Sequence, residues 1–139
     1  MTTVFADTVY WIATVRPEDP WAASANRARQ LVGAIRLVTT DEVLIEFLTA
    51  LSGGGQRARE QAVRMVRALM AHPGVEVIAQ SRESFLRGLA LYEARRDKDY
   101  SMTDCISMDR MRERSISAVL TNDRHFSQEG FAVLMSPNR

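Results

Sequence analysis

Cysteine is nearly missing from this sequence. Cys105 is the only one among 139 residues, which excludes an internal disulfide and the disulfide-dense scaffolds of small secreted proteins. Histidine is limited to His72 and His125, and these two form no zinc-ligand spacing with Cys105. No apolar run approaches the roughly 18 residues of a membrane span. The stretch Met1-Thr2-Thr3-Val4-Phe5-Ala6-Asp7 lacks the basic-then-apolar order of a secretory signal. No internal repeat or low-complexity segment appears, and the only flexible-looking stretch, Ser52-Gly53-Gly54-Gly55, reads as a helix–helix connection and not a phosphate loop, because Gln56-Arg57 stands where Lys-Ser or Lys-Thr is needed. These absences predict a single cytoplasmic domain over residues 1–139 with no membrane association.

Charge of one sign is lacking as well. The formal net charge is +1, which by itself implies no nucleic-acid partner. Lys98 is the only lysine, so the other basic residues are arginine. Arginine makes planar, bidentate phosphate contacts that lysine cannot, although codon usage in a GC-rich genome produces the same bias.

What is present is globular: 46% hydrophobic and 25% charged residues. A chain of this length buries roughly two-thirds of its unfolded surface. Strand-like runs at Thr3–Ala6, Ile35–Thr40, Val75–Ala79, Ala118–Thr121 and Phe131–Met135 alternate with helical patterns. The helices are expected over Trp21–Gly33, Asp41–Leu51, Gln56–His72, Ser81–Arg96 and Ser101 to about Arg114, with a helical or turn segment after the first strand. Ser81 is a candidate cap. Ser101-Met102-Thr103-Asp104 has the form of a capping box with Asp in place of Glu. The alternation predicts an α/β fold: a mainly parallel sheet, helices on both faces, and right-handed crossovers.

In open α/β sheets, functional groups gather beyond the carboxyl ends of the strands. Asp7 closes the first strand. Asp41-Glu42 and then Glu46 follow the second, and Asn122-Asp123 follows the fourth. Asp104 lies in the first turn of the helix that feeds the fourth strand. Each acid also has a structural role open to it. Asp7-Thr8 can cap the next segment, Asp104 can serve only its capping box, and Asp123 can be a solvated turn residue. Glu46 can lie on a narrow exposed stripe, but Val43, Leu44, Ile45, Phe47 and Leu48 surround it, where an unpaired charge is costly. Four carboxylates at one edge repel and raise one another's pKa. Divalent cations relieve that conflict, and oxygen donors suit Mg2+ or Mn2+. Two such ions about 4 Å apart support phosphodiester hydrolysis.

Four segments, in order, carry a resemblance to a known family. They are the early strand closing on Asp7-Thr8, Thr39 through Val43-Leu44-Ile45-Glu46-Phe47-Leu48, Ser101-Met102-Thr103-Asp104-Cys105-Ile106-Ser107, and Thr121-Asn122-Asp123-Arg124-His125-Phe126 followed by Gly130-Phe131. Together they resemble the PIN-domain family, and within it the toxins of VapC type. The resemblance implies a three-layer α/β/α sandwich and an Mg2+- or Mn2+-dependent endoribonuclease. It also implies a homodimer and an antitoxin that blocks the site. Carried over position by position, it makes Asp7, Glu46, Asp104 and Asp123 the catalytic metal ligands, with Thr121 and Thr8 supporting them. Glu42 is the replacement for Glu46 if the register there is shifted, while Asp41, Asp99 and Asp109 are spare acids.

Other residues have readings of their own. Arg57, Arg64 and Arg67 lie near one face of the Gln56–His72 helix, either as a phosphate rim or as a solvated face with Glu60 as partner. Arg110, Arg112 and Arg114 follow Asp104. Arg124 and His125 adjoin Asp123, and Arg124 is the candidate for holding the RNA backbone, with a cap or surface contact as its alternative. His125 is a candidate general acid. Tyr10, Trp11 and Trp21 read as core or interface groups, and Met102, Met108 and Met111 as packing material. The competing function is a PIN-like RNA- or protein-binding domain without catalysis, against which the presence of all four acids argues. A dehalogenase-like phosphatase needs a second Asp where Val9 stands, and a receiver domain needs an acceptor Asp where Ala79-Gln80-Ser81 has none.

Overall fold

The computed structural model describes residues 2–32 and 34–135. The expected helix end at Gly33 lies outside the described residues. β1 (Thr2–Ala6) contributes the run Val4-Phe5-Ala6, which has no exposed surface. A strand covered on both faces needs no polar alternation, and β1 is the middle strand of five. With β2 (Ile35–Thr40), β3 (Val75–Ile78), β4 (Ala118–Leu120) and β5 (Ala132–Val133), the order is β3-β2-β1-β4-β5. Every pairing among the described residues is parallel, with Phe5 opposite both Val38 and Val119.

The chain steps outward from β1 to β3, then returns across the sheet to β4 and β5. Right-handed crossovers then place α1 (Thr8–Val15), α2 (Ala22–Val32), α3 (Asp41–Leu51) and α4 (Gly55–Ala71) on one face. They place α5 (Arg82–Ala94), α6 (Met102–Glu113) and α7 (Arg124–Gln128) on the other. Most helix contacts agree, α1 with α3 and α3 with α4 on one side, α5 with α6 and α6 with α7 on the other, while α3 and α6 also touch each other. The result is a three-layer α/β/α sandwich. Tyr10, Trp11, Phe47, Met108 and Met111 fill its core.

Helix starts follow local chemistry. Thr40 caps α3 through the Val43 N–H, and Ser81 and Ser101 open α5 and α6 with complete capping boxes. Gly88 lets α5 lie close on α6: a Cβ there would meet Ile106 Cγ1 at 2.5 Å and Ile106 backbone atoms at 3.3 Å. The sequence reading has no counterpart for α7. Asp123 caps it, and Gly130 (φ +92°) ends it with Gly130 N–H donating to Ser127 O and Phe131 N–H to Phe126 O. The rings of Phe126 and Phe131 close that turn at 6.3 Å. β5 is shorter than Phe131–Met135, although the N–H groups of Leu134 and Met135 still donate to Val119 O and Thr121 O.

Candidate active site

Neighbouring strands β1 and β4 send their connections in opposite directions, one toward β2 and the other toward β5. The carboxyl ends of such a pair form a crevice. A cleft of about 400 Å3 opens there, lined by Asp7, Thr8, Glu46, Asp104, Asp123 and His125, with Thr121, Asp99 and Ser101 in its walls.

Asp7 stands at the N-cap position of α1, yet its side chain makes no capping bond. Its Oδ2 instead accepts from the Thr121 hydroxyl at 2.8 Å. Thr121 is fully buried, and its Oγ1 also accepts from the Asp123 N–H at 3.2 Å. On the opposite wall the Thr8 hydroxyl donates to Glu46 Oε1 at 2.6 Å. Two threonines therefore orient two carboxylates that come from strand end and helix. Burial pushes the Asp7 carboxyl up to about 7 against the hydrogen bonds from the Thr8 N–H and the Thr121 hydroxyl, with the charges of Asp104 and Glu46 adding to the rise.

Asp104 is both a helix-capping and a cleft residue. Its Oδ2 accepts from the Ser101 N–H at 3.2 Å and faces His125 Nδ1 at 3.6 Å. Burial, and then the nearby Asp123 charge, raise its pKa. Asp123 caps α7 through the His125 N–H, at 2.9 Å, and its Oδ1 lies 3.2 Å from His125 Nδ1. One donor atom each from Asp104, Asp123 and His125 fall within 4.8 Å of one another. His125 Nδ1 is buried and makes no hydrogen bond. Tyr100 packs against the imidazole, ring centroids 5.3 Å apart.

Glu46 and not Glu42 reaches this cleft. Glu42 lines a separate groove with Ser81, Phe85 and Met102. Asp41 accepts from the Gln80 N–H at 2.9 Å and ties α3 to the end of β3. Asp109 pairs with Arg87 at 2.8 Å, and Asp99 is an exposed residue of the cleft wall. Arg110, Arg112 and Arg114 are held by Glu113, Glu129 and Glu76. Arg124 is exposed at the first turn of α7 and does not line the cleft. Arg57, Arg64 and Arg67 are exposed on α4, where Glu60 accepts from Gln56.

Sequence reasoning missed the support behind His125. Glu129, its side chain only 5% exposed, accepts from Arg95 at 2.7 Å, Arg112 at 2.6 Å and the Tyr100 hydroxyl at 2.9 Å. Arg95 first, and then Arg112 and Tyr100, hold the Glu129 carboxyl down at about 2. Burial, followed by the bond to Glu129, raises the Tyr100 hydroxyl to about 12. No local pattern marks this cluster, because its members meet only when the ends of α5, α6 and α7 converge.

A family model described as PIN domain matches residues 4–131. Comparison with curated protein sequences finds no match. Among solved structures, VapC20 of Mycobacterium tuberculosis, described as a sarcin-ricin loop cleaving toxin, superposes with a TM-score of 0.83 at 22% identity, covering 96% of this chain and 99% of that one. FitAcB from Neisseria gonorrhoeae superposes with a TM-score of 0.62 at 11% identity, covering 96% and 97%. At these identities the two likenesses concern the fold, which is the same α/β/α sandwich. No described helix is long and apolar enough to cross a membrane. The match over 4–131 takes in the buried part of the central strand, the cleft and every acid in it: the chain belongs to the PIN domain family.

Proposed function

We propose that this protein is a divalent-metal-dependent endoribonuclease and the toxin of a toxin–antitoxin pair, with residues 1–139 forming one PIN unit. The observation that carries the reading is the meeting of Asp7, Glu46, Asp104 and Asp123, from four distant parts of the chain, in one cleft at the switch point of the sheet. Burial first, and then the neighbouring carboxylate charges, raise the pKa of Asp7 and of Asp104, so holding these acids ionised together is costly without a cation. The donor set fits a divalent cation: carboxylate oxygens of Asp104 and Asp123 share a small space with His125 Nδ1, which makes no hydrogen bond. Family membership and the description of VapC20 as a sarcin-ricin loop cleaving toxin support RNA as substrate. A partner antitoxin covering the cleft and a homodimer belong to the same reading.

Asp7, Glu46, Asp104 and Asp123 would hold Mg2+ or Mn2+. A bound dication supplies Lewis acidity for the charge that develops on the scissile phosphate. Thr121 keeps Asp7 in one rotamer and Thr8 does the same for Glu46, so both carboxylates are preorganised. Arg124, beside the cleft in sequence and exposed, would contact the RNA backbone.

The test is calorimetric titration with Mn2+ alongside cleavage of RNA, wild type against Asp104→Asn. Asn keeps a carbonyl oxygen for the Ser101 N–H, so the capping box survives while a charged ligand is lost. Saturable binding and cleavage in the wild type, both abolished in a folded variant, are expected. A folded, partner-free wild type that binds no Mn2+, with or without RNA, would select the non-catalytic binding domain instead.

A further inference from the structure

We propose that His125 is a nitrogen ligand of the metal in this cleft, and that it makes the site favour Mn2+ over Mg2+. The inference rests on the metal-centre reading above and adds a donor that the acidic motif does not contain. Nδ1 lies 3.2 Å from Asp123 Oδ1 and 3.6 Å from Asp104 Oδ2. Adjacent ligands on an octahedral ion with bonds of about 2.1 Å stand roughly 3.0 Å apart, so Nδ1 is close to ligand spacing from each oxygen, and one donor atom from each of the three residues lies within 4.8 Å of the others.

The state of Nδ1 points the same way. It is shielded from water and makes no hydrogen bond, even to the Asp123 oxygen 3.2 Å away. That oxygen already accepts the His125 backbone N–H at 2.9 Å. A buried polar atom without a hydrogen bond is costly, and coordination of a cation shared with the two facing carboxylates would satisfy it.

The ring is also braced as a ligand needs to be. Tyr100 packs against it with the rings tilted at 58°, and the Tyr100 hydroxyl is fixed by Glu129, which Arg95 and Arg112 clamp in turn. Imidazole suits first-row transition dications, whereas Mg2+ keeps oxygen donors and water. A site with one nitrogen among carboxylates therefore discriminates between the two ions.

The experiment is pulsed electron paramagnetic resonance of Mn2+ bound to the full-length protein, with Mn2+ and Mg2+ affinities measured in parallel. The comparison variant is His125→Phe, which keeps a ring against Tyr100 and removes the nitrogen. Wild type is expected to show one directly coupled nitrogen. The variant should lose that coupling and bind Mn2+ at least about tenfold more weakly, since even outer-shell partners cost that much. Its Mg2+ affinity should change less than about threefold, a margin set by imidazole's poor match to Mg2+. Bound Mn2+ without nitrogen coupling in wild type, or with coupling that persists in the variant, overturns the inference and leaves the metal-centre reading intact. Failure of folded wild type to bind Mn2+ overturns both. The wild-type spectrum alone decides if the variant does not fold.

Discussion

Asp7 shows most directly how the site trades against stability. Its carboxyl is held out of water at the end of the central strand, next to Asp104 and Glu46, with a folded-state pKa of about 7 against 3.8 in the open chain. Between those values the unfolded chain has released its proton and the folded one has kept it. Stability of the metal-free protein must then fall as pH rises from about 4 to about 7, by roughly 3 kcal/mol for this group alone. Asp104, also shifted upward, adds to the same slope. Urea unfolding in chelator should give a higher midpoint at pH 5 than at pH 8. Asp7→Asn should flatten the dependence and be the more stable protein at pH 8, while failing to hold the ion. The Thr121 hydroxyl keeps an oxygen acceptor in that variant, so its packing is undisturbed.

Among the elements, the α5–α6 pair packs most closely where Gly88 meets Ile106. Gly88 sits mid-helix, where alanine ordinarily gains about 1 kcal/mol in propensity. Here a methyl group would press on Ile106, in the second turn of the helix that Asp104 caps. Gly88→Ala should therefore destabilise the protein by about 1–3 kcal/mol, an overpacking cost larger than the propensity gain. Chemical unfolding checks the sign, and Ile106→Ala in the same background should recover part of the loss because the two side chains compete for one space. α7 shows a different lesson. Its boundaries are written locally in Asp123, Phe126, Gly130 and Phe131, yet five residues are too few for helical periodicity to register.

At the scale of the molecule, the cleft exists because the sheet order reverses beside β1. Asp7 and Asp123, more than a hundred residues apart, follow the carboxyl ends of adjacent strands, and α3 and α6 lean Glu46 and Asp104 over the same gap. An ion held by groups from both sides of the reversal binds the folded chain and not the unfolded one. Mn2+ at one hundred times its Kd should then stabilise the protein by about 2.7 kcal/mol. Thermal melting at rising Mn2+ should show a progressive upward shift in wild type and none in Asp104→Asn. An equal shift in both would mean that the ion binds elsewhere.

What the sequence determined by itself was local. Apolar runs named the strands, Ser81 and Ser101 named two helix starts, and the position of each acid after a strand or in a first helical turn named the candidates. Those signals act within a few residues, so they are legible without the fold. Tertiary structure decided the rest. It chose Glu46 over Glu42 because helix phase relative to β1 sets which carboxylate Thr8 can reach. It freed Asp7 from capping because Thr121, a residue of the neighbouring strand's end, takes its oxygen. It gathered Glu129, Arg95, Arg112 and Tyr100 behind His125 because burial of one carboxylate demands partners wherever the chain can supply them. Contacts between distant residues are fixed by packing and charge compensation in three dimensions, and no spacing along the chain records them.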